Sequence, residues 1–515
     1  MTYRRALRFS AAIALSLCWL GHATAGAPIG ELIECDRADK AINVSADSRL
    51  DPSCTWTKGI KITASDVTLD CQGARLASTT RRYGVLISAP TDVPLSNVTV
   101  KNCEIDGFLN CVHIEREGFR ELPEGHEYEN LFSNIVIEDS TILNSRGVGI
   151  FVDGYVTDVT LRRLRIEGTG SAGIYLETGS TDNLVEDNQI VNNGFRENGP
   201  GGQFFELAGN SFWFWGPGRE GIAIDGSRNN IVRNNYFSGN SAGGILLYKN
   251  CGEYPERDRY FERRYGANDN LIEGNTFVGG DNGVWIGSRM GENITPMECT
   301  DPQYKIGYVL DHADDNIVRS NTFEGVTYAI RVEDDGAIIE DNEFVSDDPA
   351  HIAVLVGTPV RTTELGLPVD GTRIAGNRAS IRGNTTPYRW IHGHENTTFA
   401  NNRSAGVPVG FCEGAPAARG PFVMSIAFVA ADPEDPPTGE PPTLPPPEPL
   451  APCPTCYGDC DADGIVTISE LIRAVTLAIR HLSTEDCALI DRNGDGTVDI
   501  AEITAAVRIA LDGCG

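Results

Sequence analysis

Basic residues are scarce in this 515-residue chain: 42 Lys and Arg stand against 72 Asp and Glu, for a formal net charge of −30. Phosphate binding needs clustered Lys and Arg, so the chain is a poor nucleic-acid binder, and it repels anionic membranes. Long apolar runs are missing too. Beyond residue 25 nothing approaches the ~20 apolar residues that span a bilayer. The one such run, Ala11 to Leu20, follows Arg4, Arg5 and Arg8 and precedes Ala23-Thr24-Ala25. These are the basic, apolar and small-residue parts of a secretory signal. Residues 1–25 are therefore expected to be removed, leaving a secreted or periplasmic chain of charge −33, because the signal carries three arginines and no acid. Leu17 before Cys18 is not the small residue of a lipoprotein anchor.

Cysteine is not scarce. The fourteen cysteines suit an oxidising compartment. Loss of Cys18 leaves an odd number, so at least one is unpaired within the chain. Cys35 with Cys54 and Cys251 with Cys299 are the expected pairs.

A repeat organises the first four hundred residues. Leu184-Val185-Glu186-Asp187-Asn188-Gln189-Ile190 returns at Ile231 to Phe237, Leu271 to Phe277, Ile317 to Phe323 and Ile338 to Phe344. The closest copies, Leu164 to Asn188 and Asn321 to Asn342, lie 24 and 21 residues apart. That is one coil of three short strands, and wider gaps are coils carrying inserted loops. A second phrase follows the first: small, apolar, any, apolar. Gly149-Ile150-Phe151-Val152, Gly173-Ile174-Tyr175-Leu176, Gly221-Ile222-Ala223-Ile224, Gly244-Ile245-Leu246-Leu247 and Gly283-Val284-Trp285-Ile286 all fit. Alternation over so few residues is strand, and coils that cannot bury their own apolar face must stack. Asn at each corner is expected to take the left-handed backbone and to hydrogen-bond the coils above and below. A β-propeller needs blades of ~40–50 residues and other signatures.

These phrases resemble the right-handed parallel β-helix family of carbohydrate-binding proteins and sugar hydrolases, including the NosD-type group, over about Val67 to Arg403. The resemblance implies an all-β solenoid over 67–431, capped by 26–66 and closed by the apolar run Phe422 to Ala430. It says little of activity, since many chemistries use this scaffold.

Outward-facing strand residues should stack in columns one strand spacing, ~4.8 Å, apart. One column reads His113, Phe151, Tyr175, Ala223, Leu246, Trp285, Arg331; the next reads Glu115, Asp153, Glu177, Asp225, Tyr248, Gly287, Glu333. A column of acids and aromatics forms a track for a sugar chain, with Tyr175, Trp285 and Arg331 as substrate-binding residues. Three long insertions flank it, about Asn192 to Gly218, Asn250 to Gly266 and Arg289 to His312. The first holds Phe204, Phe205, Phe212, Trp213, Phe214 and Trp215, read either as a cleft wall, with Trp213 and Trp215 binding substrate, or as a plug packed on the coil beneath. The second holds Arg257, Arg259, Arg263 and Arg264. Long loops in a compact repeat carry function.

Two chemistries suit such a cleft. In the first, a lyase or C-5 epimerase removes the proton alpha to a uronate carboxylate. It needs a cation to neutralise that carboxylate and a base; Lys249, Tyr248 and Arg289 are the candidates, with Arg264, Arg331 and His312 within reach. Lysine with arginine resembles the alginate and chondroitin lyases of this fold, but the Asp-Pro-His motif of the β-helix alginate epimerases is absent. In the second, Glu177 and Asp225 are paired carboxylates of a glycoside hydrolase, which in retaining enzymes stand ~5–5.5 Å apart. The Gly-His-Gly of β-helix polygalacturonases is not matched by His392-Gly393-His394. A third reading is a non-catalytic glycan-binding or adhesion module. All three take an extracellular polysaccharide.

Eleven prolines from Asp432 to Pro454 mark a spacer without a core. Beyond it, Asp459, Asp461, Asp463, Ile465, Thr467 and Glu470, then Asp491, Asn493, Asp495, Thr497, Asp499 and Glu502, fall at positions one, three, five, seven, nine and twelve of two calcium loops, with Gly464 and Gly496 at six. Each precedes an amphipathic helix, Leu471 to His481 and Ile503 to Leu511. The 32-residue offset of the loops, from 459 to 491, resembles a dockerin over 455–515, which implies Ca²⁺ and a cohesin-like partner. Cys453, Cys456, Cys460, Cys487 and Cys514 depart from that family, and disulfides are expected to share the stabilisation.

Overall fold

A computed structural model describes residues 30–194, 203–207, 210–215, 218–250, 263–290, 310–414, 425–428, 458–460, 466–480, 487, 490–491 and 497–512. Three strands per coil generate three sheets of thirteen strands each, parallel except where Val407–Pro408 turns back on Arg403–Ser404. The first face carries Val67–Asp70, Leu95–Lys101, Phe132–Glu138 and their successors; the second carries Arg75–Ala77, Glu104–Asp106 and Thr141–Leu143; the third carries Tyr83–Pro90, Asn110–Glu117, Ile150–Val152 and Ile174–Leu176. Each strand pairs with its counterpart one coil on. Since alternate residues point inward, Val112↔Ile150↔Ile174↔Ile222↔Ile245↔Val284↔Ile330 form one continuous inner column. All seven are fully buried.

Two inner ladders fix the register. Phe237, Phe277, Phe323 and Phe344 stack with ring centres 4.7, 4.7 and 5.2 Å apart. Asn188, Asn235, Asn275, Asn321, Asn342, Asn377 and Asn402 form an amide ladder, each Nδ2 donating to the next Oδ1 at 2.9–3.0 Å. The left-handed residue is not the ladder asparagine, as expected, but the one before it: Asp187, Asn234, Ser320, Asp341 and Asn401 all have φ between 55° and 59°. The ladder residue keeps ordinary backbone, which frees its amide to bond along the axis.

The solenoid starts earlier than expected. Glu31–Ile33 pairs with Ser48–Leu50 and Ile42–Val44 with Ile60–Ile62, so 31–66 forms the first turns of the same sheets rather than a separate cap. At the other end, Ser425–Phe428 does not close the last coil. It pairs antiparallel with Phe212–Trp215, itself hairpinned with Gln203–Leu207. The Cys35–Cys54 disulfide is present; Cys71–Cys103 and Cys460–Cys487 join it, Cys412 is also disulfide-bonded, and Cys111 is a buried free thiol. Cys251 and Cys299 lie outside the described residues, as does the proline-rich segment. Among the described residues no helix is long and apolar enough to cross a membrane.

In the C-terminal module α1 (Ile468–Arg480) packs on α2 (Ile500–Asp512) through a small cluster of Ala474, Leu477, Cys487, Ile490, Val498 and Ala506.

Candidate functional site

The outer columns of the third face run in the expected register, His113↔Phe151↔Tyr175↔Ala223↔Leu246↔Trp285↔Arg331. They do not form an open track. Tyr175 is 8% exposed, Tyr248 and Trp285 2%, and Asp225 is fully buried. Nor do the aromatics offer faces to a sugar. His113, Phe151 and Tyr175 stack on one another at 5.0 Å with planes within 10°, and the Arg331 guanidinium covers Trp285 at 3.5 Å. In-register rings one rung apart consume each other's faces and leave only edges outward. Tyr175, Trp285 and Arg331 therefore do not act as a stacking platform. The side chains of Trp213 and Trp215 lie outside the described residues.

Around Glu177 and Asp225 the face carries a buried hydrogen-bond network. Leu176 pairs with Ile224, so the two acids sit on adjacent rungs. Arg263 Nη1 contacts Glu177 Oε1 and, at 3.2 Å, Asp225 Oδ2. Tyr175 Oη donates to Asp225 Oδ2 (2.6 Å), and Asn250 donates its main-chain N–H to Oδ1 (2.8 Å) and Nδ2 to Oδ2 (2.6 Å). Burial raises the Glu177 carboxyl above its ordinary range against the pull of Arg263. A parallel group lies beside it: Tyr248 Oη donates to Glu220 Oε1 at 2.9 Å, and Arg219 Nη2 reaches both. Burial and the Glu220 charge hold the Tyr248 phenol well above its usual range. Tyr248 therefore holds its proton more tightly than a free phenol.

The strand Gly243–Tyr248 ends at Tyr248, which releases Lys249 from strict alternation. Arg289 lies over the Tyr248 ring at 4.8 Å. Asp311, which repeat reasoning did not single out, takes the main-chain N–H of Lys249 (2.7 Å), Arg289 (2.8 Å) and His312 (2.9 Å). Burial, then the charges of Lys249 and Arg361, lower the His312 imidazole below its ordinary value. The structure thus brings Tyr248, Lys249, Arg289 and His312 to one end of the buried face. Glu177 and Asp225 belong to the Arg263 network, and Arg331 pairs with Glu333. Glu220, Arg219, Asn250 and Asp311 were missed; the only signal for Asp311 was its place in an insertion.

One three-carboxylate group stands further on, Asp314, Asp334 and Asp335. Arg361 already bonds it, at 2.6 Å to Asp334 and 2.8 Å to Asp335. An all-carboxylate set around a guanidinium does not fit copper, which favours imidazole and sulfur.

In the C-terminal module the position-twelve acids are buried. Glu470 and Glu502 are both 5% exposed and Asp459 2%. Glu470 Oε1 accepts the N–H of Cys460 (2.5 Å) and Oε2 that of Thr467 (2.7 Å), so one carboxylate gathers both ends of the loop. Glu502 Oε2 accepts Asp499 N–H while Asp499 Oδ1 accepts Glu502 N–H, both at 2.9 Å. These are reciprocal capping boxes, and position nine is the N-cap of the exiting helix in both loops. Asp491 and Thr497 are also described; Asp461, Asp463, Ile465, Asn493 and Asp495 lie outside the described residues.

Comparison with known proteins agrees on the architecture. A family model described as right handed beta helix region matches residues 55–261, and one described as periplasmic copper-binding protein (NosD) matches 203–323. No curated protein sequence matches. Among solved structures the chain is similar to the Dettilon tailspike protein gp208 (13% identity, TM-score 0.40, 73% of this chain and 62% of that one). It is also similar to the catalytic domain of a GH87 alpha-1,3-glucanase in complex with nigerose (14%, 0.32, 76% and 62%) and to the Azotobacter vinelandii mannuronan C-5 epimerase AlgE6 A-module (12%, 0.37, 72% and 91%). The chain thus spans 62% of the length of the first of these. The two family models and the three parallel sheets together make the body of this chain a right-handed parallel β-helix.

Proposed function

We propose that this exported β-helix acts on a uronic-acid polysaccharide by removing the proton alpha to the uronate carboxylate, the step shared by elimination and C-5 epimerisation. The observation that carries the reading is the cluster of Lys249, Arg289 and His312 at one end of the buried face. An imidazole kept neutral among cations is a base at neutral pH. Lys249 and Arg289 neutralise the substrate carboxylate as charge develops on it. Tyr248, protonated and under Arg289, orients that guanidinium. In a chain of net charge −30, this local gathering of cations is what favours an anionic sugar.

Glu177 supports a second reading. Its raised carboxyl and the adjacent Asp225 are the acid and partner of a glycoside hydrolase. That reading requires Arg263 to leave the position where it touches both.

The C-terminal module binds Ca²⁺ through Glu470, Glu502 and the acids before them, with hard oxygen ligands throughout. Ile468, Ile472 and Ile479 are 77%, 62% and 73% exposed along one side of α1; this stripe is where a cohesin-like partner would sit.

The test is a panel of uronate polymers in deuterated buffer with calcium, followed by ultraviolet absorbance and proton NMR. Elimination gives an unsaturated uronate; epimerisation gives deuterium at the carbon alpha to the carboxylate without unsaturation. Either is expected to vanish in His312→Gln. New reducing ends without unsaturation or deuterium would instead support Glu177 and Asp225.

A further inference from the structure

Asp311 is fully buried, and its carboxylate binds three separate stretches of main chain. Oδ1 takes the N–H of Lys249 at 2.7 Å and of His312 at 2.9 Å; Oδ2 takes the N–H of Arg289 at 2.8 Å. Its own N–H donates to Met290 Sδ at 3.3 Å. Many amides on this face go to carbonyls of the neighbouring coil, as those of Gly287 and Ser288 go to Leu247 O. Here one side chain replaces the sheet ladder at the point where chain leaves and rejoins the solenoid. The three amides belong to the three residues whose side chains make the proposed site.

We propose that Asp311 is the positioning residue of this site: its carboxyl group, clasping three main-chain amides, sets where Lys249, Arg289 and His312 stand relative to one another. The inference rests on the uronate reading for the role of those side chains, but not for the clasp itself. A carboxylate is acceptor-only, so both oxygens suit N–H donors.

The charged groups facing Asp311 are Arg289 on the segment after Asn282–Ile286, Lys249 after Gly243–Tyr248, His312 next to it, and Asp334 on the following coil. Arg361, paired to Asp334, lies behind. Burial outweighs the three amides and Arg289 and pushes the acid up to about 7. With the folded value above the ordinary one, the clasped fold binds the proton more tightly than an opened one, so the clasp gains stability as pH falls through about 7 and loses it as pH rises.

The experiment is hydrogen exchange by mass spectrometry on the full chain, from about pH 6 to about pH 8, corrected for intrinsic rates. Peptides holding the amides of Lys249, Arg289 and His312 are compared with peptides from the Asn235–Asn275 ladder, which has no titrating group. The expected result is that only the clasp amides change protection across this range, gaining it as pH falls below about 7 and approaching tenfold per pH unit. Asp311→Asn, fixed in the neutral state, should show no such pH dependence. Clasp amides that track the ladder amides at all pH values would overturn the proposal. So would an Asp311→Asn protein whose protection still changes near pH 7. If that variant does not fold, the wild-type profile decides alone. A pH-sensitive clasp in a protein that leaves every uronate polymer untouched would refute the functional reading and leave the clasp standing; an active protein with a pH-insensitive clasp would do the reverse.

Discussion

Removing the Cys460–Cys487 disulfide should make the fold of the C-terminal module depend on calcium. Its buried apolar cluster is six small or medium residues, too little core for two thirteen-residue helices to fold unaided. The bridge joins position two of the first loop to the segment just before the second, across 27 residues. A closed loop of that length restricts the unfolded chain by about 3.5 kcal/mol. Calcium at a hundredfold above its dissociation constant adds about 2.7 kcal/mol per site. Two sites therefore exceed the bridge, and one falls short. With the bridge in place, the capping boxes of Glu470 and Glu502 hold both helix starts, so the oxidised module should stay helical in chelator. The assay is hydrogen exchange on the full chain, wild type against Cys460→Ser with Cys487→Ser, in chelator and in calcium, reading the peptides of α1 and α2. In chelator the double variant should lose about two and a half orders of magnitude of protection, and calcium should restore it. Equal protection in chelator would refute the reasoning, because the cluster and caps would then suffice alone. Helices unprotected in the oxidised, metal-free wild type would refute it from the other side.

Calcium titration of the full chain by calorimetry should show two sites, both lost in Glu470→Ala with Glu502→Ala, since each carboxylate is expected to bind through both oxygens. Asn275→Ala should cost about 3–5 kcal/mol in denaturant titration, because it removes the acceptor of Asn235 N–H and the donor to Val232 O in a dry interior; a loss below about 1 kcal/mol would show that the ladder is not a main source of register. Arg263→Met should destabilise by about 3–5 kcal/mol at neutral pH, since it leaves Glu177 and Asp225 buried without their shared cation. That loss should shrink as pH falls, because protonation of Glu177, already raised by burial, removes the uncompensated charge. Thermal melts at neutral and mildly acidic pH check this; a loss that grows on acidification would show that the guanidinium does not serve the carboxylates.

The register of the outer column was legible residue by residue, from His113 to Arg331, because a strand of period two with glycine at its start leaves one alignment of each coil on the next. The meaning of that column was not. A rung spacing of ~4.8 Å is close to the separation of two stacked rings, so aromatics at successive rungs meet each other before they meet a ligand. His113, Phe151 and Tyr175 do so, and Arg331 over Trp285 is the same effect with a planar cation. Carboxylates on adjacent rungs, such as Glu177 and Asp225, repel and must recruit a cation from elsewhere; Arg263 comes from an insertion. Asp311 also lies in an insertion, where no repeat marks it. The solenoid's pattern therefore announces what is shared between coils, whereas chemistry on such a scaffold depends on what breaks the pattern. The insertion boundaries, 249–250, 263–266, 289–290 and 310–312, are where residues able to perform it converge.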